Sequence, residues 1–390
     1  MLKFQNSEIQ SNIAEPMRPY YPELDALRFI AFIIFFFHHV FPRETNSYLP
    51  YVSETLAEFI STTVNALAFG LPLFFFLSAL LLTKTLLIEK ERTGSISVTN
   101  FYIRRGLRIW PLYYLGIAIG AAFFLKDEIK GVSAEPDRWM MICMYVVMLG
   151  NWFYASGMHH WSYSPATPLW GISIDQQFCC FWPIVIKFSN RLTISVISAI
   201  VFTVALFAAY ALGNNFAERD TTIWTNSFVQ FGFFAVGAVC AICLPCRTYI
   251  VRSTSRILLF LLSILLWSGS NFIFQAKVIG SAPNGWSIII GYGFAAVGCV
   301  TILLSIWNYK NWHPLIIFLG KISYGLYVFQ ELALLIVEKV LALVGQKENL
   351  ILHVFVDVTV GLCITISIAT ASYRFFEAPF LRLKKQFSAY

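Results

Sequence analysis

Leu24 to Pro42 reads LDALRFIAFIIFFFHHVFP. The stretch is almost wholly apolar and, at about 1.5 Å per residue, it is long enough to cross a hydrocarbon core of about 30 Å. Yet it carries Arg28 near one end and His38 and His39 deep within it. Arg28 and His39 are eleven residues apart. At about 100° per residue that is three turns plus about 20°, so the two side chains share one helix face, about 16 Å apart along the axis. His38 is turned about 100° away. An ionisable residue inside a span is costly and usually faces a polar cavity or a partner, so it marks function or interhelical hydrogen bonding.

The rest of the chain sets the context. Of 390 residues, 58% are hydrophobic, 17% aromatic and only 13% charged, which excludes an ordinary soluble domain. Long apolar runs recur from end to end, so the expected fold is all-α: a polytopic transmembrane helical bundle. Residues 1–23 read as a polar cytoplasmic tail, 24–380 as the membrane domain and 381–390 as a basic cytoplasmic tail. The first 23 residues lack the apolar core and cleavage site of a signal peptide, so the first span itself is expected to direct insertion. The net charge of +7 comes from basic residues clustered in short loops and tails. They are topology and headgroup signals for membrane lipids, with no nucleic acid implied.

Two further anomalies follow in the chain. In FYIRRGLRIWPLYYLGIAIG, residues 101–120, Arg105 and Arg108 are three apart and project from one side of a helix at the membrane boundary. They are either snorkelling anchors or a bidentate clamp for phosphate. In LWGISIDQQFCCFWPIV, residues 169–185, Asp175, Gln176 and Gln177 interrupt an apolar helix. A carboxylate there needs a base or a cavity.

Other spans are expected at about 63–88, 193–213, 226–246, 256–276, 286–307, 315–340 and 351–376. Eleven apolar segments would put the termini on opposite sides, but the basic loops place both inside. Trp139–Trp152, only 14 residues, is therefore denied a full crossing, which leaves about ten spans with an irregular or re-entrant segment. His159 and His160 fall in a polar loop and read as bystanders. Among eight cysteines, CAICLPC (240–246) resembles part of a cluster-ligand set but lacks a fourth ligand, so no metal is expected.

Together these motifs resemble the acyltransferase-3 family of integral membrane acyltransferases. LDALRFIAFIIFFFHH is similar to its first-helix signature, with Arg28 and His39 in the Arg and His positions. FFFLSALLLT resembles the second-helix motif with Ala79 in place of Gly. FYIRRGLRIWPLYY carries the paired arginines. LWGISIDQQFCCFWP resembles the tryptophan–serine–acid–glutamine motif, with Asp175 for the usual Glu and Cys179 for the usual Tyr. GKISYGLYVFQ resembles a late motif with Gln330 for His, and SYRFFEAPF resembles the closing motif. Six motifs in order span nearly the whole chain. No soluble hydrolase-like domain is expected after Tyr390, although some relatives carry one.

The resemblance implies transfer of an acyl group, commonly acetyl, from acyl-CoA to a hydroxyl of a glycan or lipid-linked saccharide at the cell envelope. It implies His39, Asp175 and Ser173 as catalytic, with His39 as general base or, less favoured, as the acylated group. Arg28, Arg105 and Arg108 would hold donor phosphates; Trp170, Gln177, Tyr324 and Gln330 would contact substrate. The expected location is a bacterial cytoplasmic membrane. The alternative class is a proton-coupled transporter, which ionisable residues inside helices also mark. No internal inverted repeat supports it, and transport does not require the paired arginines. Both termini are expected inside; cysteine labelling at Ser7 and Ser388 tests this, and a C-terminus labelled from outside would mean an odd number of crossings.

Overall fold

The computed structural model describes residues 20–129, 137–156, 164–215, 219–244, 251–277, 284–343 and 350–387. His159, His160, Cys246, Ser7 and Ser388 lie outside the described residues. Among the described residues the chain is helical, without strands.

Helix α1 (Pro22–Val40) starts at a proline, whose fixed φ suits the first helical position and whose missing N–H costs nothing there. Glu23 and Asp25 place negative charge in its first turn, where the helix dipole favours it. The chain turns extended at Phe41, as the residue before Pro42 requires. Helices α2 (Glu54–Ala66) and α3 (Gly70–Thr93) are joined by one 3₁₀ turn and run as a 40-residue stretch, longer than the span expected from 63 to 88. Helix α3 ends at Gly94 in the left-handed conformation, its N–H on the Lys90 carbonyl at 2.9 Å.

Helix α4 (Val98–Ile129) is 32 residues long and overshoots a hydrocarbon core by several turns, so its arginines stand at a boundary. Next come α5 (Arg138–Val146) and α6 (Gly150–Ala155), separated by Met148 at φ 59°. At about 1.5 Å per residue α5 is too short to cross, in agreement with the expected break within Trp139–Trp152. Beyond them run α7 (Leu169–Phe188), α8 (Arg191–Asn215), α9 (Arg219–Thr225), α10 (Ser227–Cys243), α11 (Ser253–Phe272) and α12 (Gly285–Ile306).

The stretch expected as one span from 315 to 340 is instead two helices, α13 (Pro314–Lys321) and α14 (Ser323–Leu343). The physical reason is the close approach of α13 to α1. A Cβ built on Gly320 would stand 1.9 Å from the Asp25 carbonyl oxygen, so only glycine lets the two backbones meet. The last helical run, Leu350 to Lys384, comprises α15 (Leu350–Val356), α16 (Leu362–Ala371) and α17 (Ala378–Gln386), linked by π turns at Asp357–Gly361 and Ser372–Glu377. The segment expected as a tail from 381 is therefore helical to Gln386.

Among the described residues, six helical stretches combine the length and apolar composition of a membrane crossing: 54–93, 98–126, 191–214, 253–272, 285–306 and 350–384. Helices α1, α7, α10 and α14, of 19, 20, 17 and 21 residues, lie packed within the same bundle. The protein is thus an all-α polytopic bundle. Helix α3 is central and almost wholly buried, while α8, α11 and the last run turn Leu192, Phe207, Leu265, Phe355 and Phe375 outward. Apolar surface of that extent calls for lipid. Phe178 stacks on Phe234 at 4.5 Å and Phe75 on Phe234 at 5.0 Å, joining α3, α7 and α10.

Close packing of α3 on α10 depends on Gly237, where an added Cβ would stand 2.2 Å from the Phe76 carbonyl oxygen. Gly237→Val should therefore lower stability by about 1–3 kcal/mol or more through overpacking. Gly293→Ala, with nothing within 4 Å of its Cβ, should not. Melting in detergent measures both; equal melting of the two variants would contradict this contact.

Candidate functional site

A cavity of about 300 Å³ opens at the end of the bundle where α1 begins, between α1, α3, α4, α7 and α14, with α17 at its edge. Its polar side is built by residues from four helices: Arg28, Ser78, Arg105, Arg108 and Asp175. Leu71, Phe74, Phe75 and Gly171 make another wall apolar.

The i, i+3 spacing on α4 does what helix geometry requires and brings Arg105 and Arg108 to one cavity. Arg105 donates to Asp175 Oδ2 at 2.5 Å and to Ser78 Oγ at 3.1 Å. Ser78 Oγ donates to Asp175 Oδ1 at 2.5 Å, and Gln176 Nε2 to Asp175 Oδ2 at 2.9 Å. Asp175 is thereby paired, and its node ties α3, α4 and α7 together. Arg28 donates to Asp25 Oδ1 at 3.2 Å, and Tyr20 donates to Asp25 Oδ2 at 2.8 Å. Arg108 is exposed to the opening and makes no hydrogen bond or ion pair among the described residues. Arg104, turned about 100° from Arg105, is buried against Glu89 at 2.9 Å and holds the Phe387 carbonyl at 2.9 Å.

At the inner end of the cavity Tyr327 donates to the Pro168 carbonyl at 2.5 Å. Its ring stacks on Phe35 at 5.8 Å, and Phe35 meets the His39 ring edge-on at 4.4 Å. His39 does not line the cavity; it meets Phe35, whose ring stacks on the cavity-lining Tyr327. His39 Nδ1 lies 3.0 Å from the Phe35 carbonyl. A carbonyl can only accept, so Nδ1 carries the proton of the neutral ring and Nε2 keeps its lone pair. His38 is buried, with Nδ1 3.0 Å from the Val64 carbonyl of α2, facing away as the periodicity predicts.

The structure thus brings together Arg28, Arg105, Arg108, Asp175 and Tyr324, the last donating to the Ile109 carbonyl at 2.8 Å. It places the other expected site residues elsewhere. Asp175 serves Arg105 and not His39. Ser173 is fully buried, 3.0 Å from Tyr113 Oη and 3.3 Å from the Leu169 carbonyl, and does not line this cavity. Gln177 spends its side chain on the Met148 carbonyl, Asn151 and Ser227, fastening α5, α6 and α10 to α7. Trp170 is buried edge-on to Trp224. Gln330 is fully buried, and neither amide atom has a hydrogen-bond partner among the described residues. Ser78 escaped the sequence reading; a lone hydroxyl in FFFLSALLL was its only signal. Lys384 also borders the cavity, and nothing in its basic surroundings announced that.

These features define a polytopic membrane protein with a cationic cavity at one end. Its family follows from comparison. Residues 21–374 match the acyltransferase-3 family, described as an acyltransferase domain, and the chain belongs to that family. It is similar to the O-acetyltransferase OatA of Staphylococcus aureus (strain NCTC 8325 / PS 47), with 23% identity over 82% of this chain and 53% of the relative. It is also 23% identical to a protein of S. aureus (strain COL) named as an O-acetyltransferase, over 80% of this chain and 52% of that protein. The chain spans about half the length of the curated relatives it matches. No solved structure gives a significant match.

The Asp175–Arg105 pair makes a thermodynamic prediction. Asp175→Asn and Arg105→Gln should each lower the melting temperature in detergent, because each leaves a mostly buried charge unpaired. The double variant should be more stable than the two losses summed, by a coupling of about 0.5–3 kcal/mol. Strict additivity would show that the pair is not energetically coupled.

Proposed function

We propose that the protein is a membrane O-acyltransferase that moves an acyl group, acetyl in the simplest case, from acyl-CoA to a hydroxyl of a cell-envelope or exported glycan. The observation that carries this reading is the arrangement on α1. Arg28 lines a cavity with Arg105 and Arg108, and His39 lies eleven residues further along the same helix with Nε2 free of a proton. Guanidinium groups bind phosphate in bidentate fashion, and among the described residues Arg108 has no hydrogen-bond or ion-pair partner to give up. The O-acetyltransferase names of the relatives favour a hydroxyl acceptor.

In this reading the CoA phosphates sit at the arginines and the pantetheine arm enters the apolar side of the cavity. The Phe35–Tyr327 ring pair parts to let the thioester approach His39. His39 Nε2 accepts the proton of the acceptor hydroxyl as its oxygen attacks the thioester carbonyl. The C–S bond breaks, CoA leaves as the thiolate and takes up the proton, and the ester remains on the acceptor. Asp175 positions Arg105 in this scheme and takes no part in the proton transfer. With the basic loops inside, the donor cavity opens to the cytoplasm and both termini lie there.

His39→Ala should lower acyl transfer per folded molecule by about 10²–10⁴-fold, the usual worth of a general base. His38→Ala should lower folded yield, because it removes the contact to Val64, while the surviving protein turns over. Transfer from labelled acetyl-CoA to an envelope glycan fraction, normalised to folded protein, separates the two. Equal loss in both variants would remove His39 from this role.

A further inference from the structure

A second cavity of about 360 Å³ adjoins the first and shares Arg28, Arg108, Tyr324 and Lys384 with it. We propose that this outer chamber is the subsite for the nucleotide end of the donor, with Lys384 of α17 and Lys321 of α13 binding the ribose phosphate. The proposal rests on the acyl-CoA reading given above.

The charge and shape of the two chambers assign the ends of the ligand. The outer one has four cations, Arg28, Arg108, Lys321 and Lys384, against two carboxylates, Asp25 and Glu377. Both Asp25 oxygens are engaged, by Arg28 and Tyr20, and Glu377 Oε1 accepts from Ser372 Oγ at 3.2 Å. The surplus is positive, and the rings of Tyr20 and Tyr373 line the same space. Lys321 Nζ stands 5.2 Å from the centroid of the Tyr20 ring. Cations beside aromatic faces suit a phosphorylated base. The inner cavity, with Leu71, Phe74 and Phe75, suits a thin uncharged arm. The order is therefore nucleotide outside, arm inside.

Local structure explains why a residue so near the C-terminus reaches this place. Glu377, Leu381 and Lys384 are spaced i, i+4, i+7 and share one face of the helix that follows the second π turn, and all three line the chamber. Arg104 anchors the end of this helix through the Phe387 carbonyl while paired with Glu89 of α3. Helix α17 is thus clasped across the mouth, and Lys384 is held in position before any ligand arrives.

The test uses the full chain in detergent and compares binding of CoA with that of 3′-dephospho-CoA. The wild type should prefer CoA by about tenfold or more. Lys384→Ala and Lys321→Ala should each lose most of that preference, and Lys384→Arg should keep it. A ratio of affinities is read, so partial misfolding of a variant does not mimic the effect. Arg108→Ala should weaken both ligands alike, because both carry the diphosphate. CoA binding with no preference in the wild type, or with the preference intact in both lysine-to-alanine variants, would overturn the subsite and leave the acyl-CoA reading standing. Absence of CoA binding by the wild type would overturn both. Vesicles of anionic phosphatidylglycerol that displace CoA from the wild type and not from Lys384→Ala would assign the chamber to a lipid headgroup and overturn the nucleotide assignment.

Discussion

The bundle depends on how charge is kept inside an apolar solvent. A carboxylate or guanidinium alone at membrane depth is costly, so each must find a partner or water. Asp175 meets this constraint with Arg105, Ser78 and Gln176, and in doing so joins α7 to α4 and α3. Glu89 and Arg104 meet it the same way between α3 and α4, and Asp25 with Arg28 at the start of α1. Arg108 is the member of the set that no carboxylate among the described residues satisfies within bonding distance, and it faces the opening. The cavity and the unpaired cation are two aspects of one solution: where protein supplies no anion, space for one is left.

Irregular backbone then places the pieces that straight helices cannot. The break at Ile322 separates α13, pressed onto Asp25 through Gly320, from α14, whose Tyr324 and Tyr327 line the cavity. The π turn at Ser372–Glu377 ends on Glu377, which shares a face with Lys384 of α17. The α5–α6 break is secured by Gln177, which accounts for an amide in a membrane helix without any ligand. A glutamine in apolar sequence therefore has two readings, substrate contact and backbone repair, and here the geometry favours repair.

How far the site was legible follows from the range of each signal. Periodicity is local, so the pairing of Arg105 with Arg108 and the divergence of His38 from His39 could be read from spacing alone. The long apolar runs likewise revealed the all-α membrane bundle. What lies across from a helix face is a nonlocal fact. Sequence required a partner for Asp175 but could not say that it was Arg105, and it grouped Ser173 with the chemistry although Ser173 is sealed against Tyr113. The division of 315–340 depends on a backbone contact almost 300 residues distant in the chain, between Gly320 and Asp25. Lys384 gave no signal because a basic tail and a basic site-bordering helix have the same composition.

The ring pair Phe35–Tyr327 adds a constraint on any transfer at His39. The arginine cavity and the histidine lie on one helix, yet two stacked rings separate them. Tyr327 is also bonded to the Pro168 carbonyl at the start of α7, the helix that carries Asp175. Moving Tyr327 therefore loosens the junction of α14 with α7, and Asp175 couples α7 to Arg105. Any shift of Arg105 thus acts on the same helix whose N-terminus accepts the Tyr327 hydroxyl.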